Sequence, residues 1–127
     1  EISRLMLSLK ALIAHAMALP SIVFDEVDTG VSGEIADKMA GIMREMAECM
    51  QVISITHLPQ VASLGQTHYR VYKSDTETST ATYLIKLSEK ERIEEIARML
   101  SGSSLTAAAL DNARELLKRN DLKDGKK

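Results

Sequence analysis

A chain of 127 residues, 45% of them apolar, has the length of one domain with a moderate core, and its formal net charge of −2 excludes nucleic-acid binding through an overall basic surplus. The single cysteine, Cys49, excludes an internal disulfide framework and fits a reducing compartment, so the cytoplasm is the expected location. No apolar run approaches the roughly 20 residues needed to span a bilayer, and the opening EISRLMLSLK lacks the layout of a secretory signal, so no membrane association is expected.

In chain order, apolar residues at Leu5, Leu9, Leu12, Ile13 and Ala16 recur at helical spacing from about Ser3 to Ala18, and Pro20 closes that segment because it cannot continue a helix. Glu1 enters this pattern without an initiating methionine or a cap, so the chain is expected to be a fragment cut within a motif. Ser21 to Phe24 is short, β-branched and aromatic, and reads as a buried strand. A loop with two glycines runs from Asp25 to Gly33, and from about Glu34 to Met50 the residues Ile35, Met39, Ile42, Met43 and Met46 form one helical face, with the methionines as core packing. Cys49 falls at the end of this helix. Gln51 to Thr56 is the second strand. Strand, helix, strand at this spacing is a βαβ crossover, which sets the two strands parallel with their C-terminal ends on one side.

After His57 the chain turns through Leu58 and Pro59 into a short helical segment ending near Gly65. The period then changes to two: Tyr69 to Lys73 and Ala81 to Leu87 predict a hairpin whose polar connection SDTETST reads as a mobile loop. Ser88 and Glu91 stand in capping-box relation ahead of Ile93, Ile96, Ala97 and Leu100, and Gly102 is placed to end that helix. A last helix from about Leu105 to Arg119 docks through Leu110, Ala113, Leu116 and Leu117. The polar, lysine-rich residues 121–127 are expected to form a disordered tail after a domain covering 1–120.

The chemistry concentrates at SIVFDEVDTGVSG. A parallel strand that delivers adjacent carboxylates from its C-terminal end is where an open α/β sheet places its ligand. Asp25 suits a magnesium ion, which takes a few hard carboxylate ligands and keeps much of its water. Glu26, beside it but off the metal, suits the base that orients and deprotonates a water for attack on a γ-phosphate. His57, at the end of the neighbouring strand, is placed to donate a hydrogen bond to that phosphate. The plainer readings are a solvated acidic loop and a structural histidine. A phosphatase using two aspartates one residue apart is excluded by spacing, since two residues separate Asp25 from Asp28. No G-x-x-x-x-G-K-[ST] phosphate loop occurs, so the chain alone is not expected to bind ATP tightly or hydrolyse it. His15 and His68 carry no functional reading.

Taken together, SIVFDE, VDTGVSG, a helix and VISITH resemble the Walker B strand, D-loop and H-loop of ATP-binding-cassette and SMC-type ATPase heads. EISRLMLSLKALIA, THLPQVAS and EKERIEEIARMLSG with its following ARELL more closely resemble the C-terminal part of the RecN family of bacterial DNA-repair proteins, over nearly the whole chain. The resemblance implies an α/β fold, the C-terminal lobe of a P-loop ATPase head, with a parallel βαβ core, a β-hairpin and C-terminal helices. It implies Asp25 as the Walker B metal-side acid, Glu26 as the catalytic glutamate and His57 as the switch histidine. Asp28 to Ser32 would be the D-loop at a dimer seam and Arg4 the arginine of the signature motif, whose glycines would precede Glu1. Many D-loops carry an aspartate where this chain has Ser32. The cofactors so implied are ATP and Mg2+. The partners are the N-terminal half of the same head, which bears the phosphate loop, a second head in an ATP-dependent dimer, and DNA through the full-length protein in a cytoplasmic, nucleoid-associated setting. The competing classes are a non-catalytic docking module for a partner or DNA, with the hairpin and terminal helices as its surface, and a magnesium phosphatase that would act alone.

Overall fold

The computed structural model describes residues 2–102 and 104–124. Helix α1 (Ile2–Ala16) leads to strand β1 (Ser21–Asp25), helix α2 (Gly33–Ala47), strand β2 (Gln51–Ile55) and the short helix α3 (Pro59–Ala62). Strands β3 (Tyr69–Asp75) and β4 (Thr80–Lys86) follow, then helices α4 (Glu89–Ser101) and α5 (Ala107–Asp124). Strands β1 and β2 pair in parallel, Ser21 opposite Gln51 through Asp25 opposite Ile55, as the βαβ reading requires. Strands β3 and β4 form a separate antiparallel hairpin.

One core joins α1, α2, the inner face of the parallel pair and α3. Phe24 of β1 is buried against Leu7 and Ala14 of α1, Met39, Ala40, Met43 and Met46 of α2, and Val61 of α3. The methionine stripe thus packs as its spacing predicts. Helix α2 stops at Ala47, short of the expected Met50, because Glu48, Cys49 and Met50 tighten into a turn whose amides return to Glu45 and Met46. The Gln51 amide then donates to the Pro20 carbonyl and starts the ladder. Cys49 is a free, exposed thiol.

Helix α1 corrects the sequence reading. The stripe picked out by its spacing faces outward: Leu5 and Leu12 are 69% and 70% exposed, and Leu9, Ile13 and Ala16 are exposed too. A narrower face, Leu7, Ala11 and Ala14, packs on the core. Those positions share one side of a helix as i, i+4 and i+7. The helix ends in a Schellman motif, with Ala18 in the left-handed region at φ 50° and the Leu19 and Ala18 amides donating to the Ala14 and His15 carbonyls. Strand β1 is likewise buried on one face only, because side chains alternate along a strand and just one layer of helices covers this pair. Val23, Ile53 and Ile55 remain 57%, 44% and 51% exposed on the other face.

The second core lies between α4 and α5, where Ile96, Ala97, Ala109 and Ala113 are buried with Ala62 of α3 packed against them. The capping box is present as predicted: the Ser88 hydroxyl accepts from the Glu91 amide and the Glu91 carboxylate from the Ser88 amide. Gly102, at φ 77°, supplies the left-handed residue that ends α4. The hairpin connection is shorter than predicted, since Ser74, Asp75 and Thr80 join the strands. Residues 76–79 close a turn in which the Thr76 amide and hydroxyl both donate to the Ser79 carbonyl. Helix α5 continues past Arg119 to Asp124. Neither glycine nor proline interrupts it there, and Asn120 is anchored by donating to Ser63 Oγ at 2.8 Å while its carbonyl accepts from Arg44 at 3.0 Å. The expected tail over 121–127 therefore begins as helix, and its last residues, 125–127, lie outside the described residues. Arg92 ties α4 to α3 by donating to the carbonyls of Ala62, Ser63 and Gly65, which α3 itself leaves open at its C-terminal end.

Candidate functional site

The parallel register sets the site. Asp25 ends β1 opposite Ile55, the last residue of β2, so the residues that follow each strand emerge at one rim. Asp25, Glu26 and His57 all reach that rim and all are exposed. Glu26 has a left-handed backbone, φ 48°, unusual for a residue with a side chain and costing about 1 kcal/mol or more. Three hydrogen bonds hold it there. Its amide donates to the Ile55 carbonyl at 2.9 Å, and its carbonyl accepts from the Thr29 hydroxyl at 2.9 Å and the Thr29 amide at 3.3 Å. The chain thus turns sharply after Asp25, so the two neighbouring acids leave the strand from different backbone conformations.

Asp28 does not join them. It is 1% exposed, and one carboxylate oxygen accepts a hydrogen bond from the Thr56 hydroxyl. The other oxygen is buried with no partner among the described residues. This side chain bonds inward, to the loop that carries His57. Gly30, at φ 75°, lets the loop double back, and Ser32 precedes α2 as its N-cap, exposed, with no capping bond from its hydroxyl. Arg4 is half-buried on α1 and lies near the start of α2: the Glu34 carboxyl is held below its usual range chiefly by its hydrogen bond to Lys38, next by that ammonium's charge, and also by the Arg4 guanidinium. Arg4 and the loop through Ser32 therefore share one side of the molecule.

Thr56 is the site residue that the sequence reading passes over. Its hydroxyl accepts from the Leu58 amide at 3.0 Å while donating to Asp28, which braces the backbone on both sides of His57. The available signal is a threonine directly before the histidine at a strand end, where a short hydroxyl side chain readily bonds its own backbone two residues on.

Among the described residues no group of three or more histidine, cysteine, aspartate or glutamate side chains could hold a metal ion by itself. An exposed single carboxylate, Asp25, does fit magnesium, which is commonly held by one or two carboxylates together with substrate phosphates and water. Among the described residues no helix is long and apolar enough to cross a membrane.

No family model matches the chain. Curated relatives do. The DNA repair protein RecN of Rickettsia conorii is 45% identical over 117 residues, 92% of this chain and 22% of the relative. Those of Vibrio cholerae and Haemophilus influenzae are 42% and 41% identical over the same share of this chain and 21% of their own length. The chain thus spans about a fifth of the length of the relatives it matches. A solved structure described as "Structural biochemistry of ATP-driven dimerization and DNA stimulated activation of SMC ATPases" superposes with a TM-score of 0.63 at 16% identity, over 81% of this chain and 61% of that one. At that identity the likeness carries the fold alone: an α/β lobe of an SMC-type ATPase head, with its parallel pair and antiparallel hairpin. With an SMC-type fold and identities of 41% to 45% over 92% of its length, the chain belongs to the RecN family.

Proposed function

We propose that this chain supplies one rim of a composite ATP-hydrolysing site in a DNA-repair ATPase. The observation that carries the reading is the convergence of Asp25, Glu26 and His57, all exposed, on one end of a parallel strand pair, with Glu26 turned into a left-handed conformation between its bonds to Ile55 and Thr29. Asp25 would hold magnesium, and that ion would supply neutralising charge for the phosphates of ATP. Glu26 orients and deprotonates the attacking water. His57 donates a hydrogen bond to the γ-phosphate. Ser32 and Arg4, on the α2 side of the rim, belong to the surface facing a second head, whose nucleotide they would meet.

The phosphate loop has to come from elsewhere, and the open faces support this. Parallel sheets are ordinarily covered on both sides, yet Val23, Ile53 and Ile55 on one side and Leu5, Leu9 and Leu12 of α1 remain exposed. The N-terminal half of the same head is the segment proposed to cover them. Closure of two such heads on ATP, with DNA engaged by the full-length protein in the cytoplasm, completes the reading, and the chain alone is inactive.

Mixing this chain with an N-terminal head half that carries the phosphate loop and assaying ATP turnover tests the assignment. The mixture should hydrolyse ATP, and Glu26→Gln should lower the rate by about 100-fold or more, the usual effect of losing a general base. A mixture without activity, or activity indifferent to Glu26→Gln, would discard it.

A further inference from the structure

Asp28, Ser63 and Asn120 are the buried polar residues among those described, and of these only Asp28 has a carboxyl group. A buried carboxylate is costly unless it is hydrogen-bonded, and here the Thr56 hydroxyl is its donor. That hydroxyl is committed twice. It donates to Asp28 and accepts from the Leu58 amide at 3.0 Å, forming a relay from the backbone just after His57, through the residue just before it, into the loop two residues beyond Glu26. A second link runs the other way, from the Glu26 amide to the Ile55 carbonyl at 2.9 Å. Hydrogen bonds linked through one hydroxyl polarise each other, and removing either end leaves a buried group unsatisfied.

We propose that Asp28 is a positioning residue that acts through Thr56 to fix His57 relative to Glu26, and that it does not contact nucleotide. The inference rests on the reading of Glu26 and His57 as the working pair. The loop after β1 and the loop after β2 then move as one body, so a displacement of either acts on both the water-activating and the phosphate-sensing group. A buried strut of this kind makes a different prediction from an acid that touches the ligand: its effect depends wholly on its partner.

The test uses the chain reconstituted with the phosphate-loop-bearing half. Thr56→Val and Asp28→Ala should each lower kcat by about tenfold, the equivalent of one lost hydrogen bond in the transition state, while KM for ATP stays within about twofold. The double variant should be no slower than the worse single variant, because both remove the same link. Thr56→Ser, which keeps the hydroxyl, should recover most of the rate. Wild-type kcat in Thr56→Val, or losses that multiply in the double variant, overturns the proposal. Hydrogen exchange on the chain itself adds a readout independent of turnover. The Leu58 amide should exchange about tenfold faster in Thr56→Val while β1–β2 ladder amides keep their rates, whereas a uniform rise along the ladder contradicts a local brace. Failure of the ATPase reading is seen separately, as a wild-type mixture without turnover or one unaffected by Glu26→Gln.

Discussion

Helices α1 and α4 are similar in length and both amphipathic, yet the fold uses them in opposite ways. Helix α4 is finished: it is capped by Ser88 and Glu91, ended by Gly102, and buries Ile96 and Ala97 against α5. Helix α1 seats a narrow face of Leu7, Ala11 and Ala14 and turns Leu5, Leu9 and Leu12 outward. The unfinished helix shares its core with the half-covered parallel pair, whose C-terminal end carries the acids and His57. Incompleteness and chemistry therefore coincide, whereas the α4–α5 pair serves as a closed base, joined to α3 and so to the segment after His57 by Arg92, Ser63 and Asn120.

The largest effect expected from this contrast is in the closed base. Ile96→Ala should destabilise the isolated chain by about 2–4 kcal/mol, whereas Leu12→Ala on the outer face of α1 should change it by less than about 0.5 kcal/mol, both read by urea unfolding. Equal losses would erase the distinction between the two helices. Next is Ile53→Asp on the open sheet face. Its effect on the isolated chain should stay below about 1 kcal/mol, but it should weaken association with the N-terminal head half by about 10-fold to 100-fold in titration calorimetry, through an unpaired charge in an apolar interface. Unchanged association would mean that this face is not the one covered. Ser88→Ala should cost about 1 kcal/mol by removing the α4 cap, and should leave the β1–β2 amides no more exchange-prone than global unfolding requires.

The smallest effect concerns His68, between the hairpin and α4. Burial, followed by the Arg92 charge, pushes its pKa below the ordinary value of 6.5, with Glu95 opposing. The folded state therefore favours neutral imidazole, and the unfolded chain binds the proton first. The stabilisation is complete above pH 6.5 and falls as pH drops through that value towards the lower native pKa. His68→Gln should flatten the dependence of melting temperature on pH in that window, above the region where Glu34 and Glu91, both lowered from 4.5, begin to protonate. An unaltered profile would refute the assignment to His68.

Much of this was readable from local signals. Periodicity located each element, the strand–helix–strand order fixed parallel pairing, Ser88, Glu91 and Gly102 marked the ends of α4, and two parallel strands necessarily brought Asp25, Glu26 and His57 to one rim. What escaped is non-local. Helical spacing reveals an apolar stripe on α1 but not whether this chain provides the surface to cover it, so the wider stripe was the natural choice and the narrower one packs. Alternation in β1 carries the same ambiguity. The burial of Asp28 has no local signal in its loop; the Thr56 hydroxyl that bonds it comes from the end of the neighbouring strand. The left-handed backbone of Glu26 has no sequence cue, since glutamate is not a residue that favours it.

The central claim is that the rim is half of a nucleotide site and the open face is where the other half attaches. Equilibrium binding of magnesium-ATP measures this most directly, with the chain alone, the phosphate-loop-bearing half alone, and the two mixed. The account predicts weak binding by either half, tight binding by the mixture, and loss of the magnesium dependence in Asp25→Asn. Binding by this chain alone as tight as by the mixture, or a mixture that binds no better than the phosphate-loop half, would contradict it.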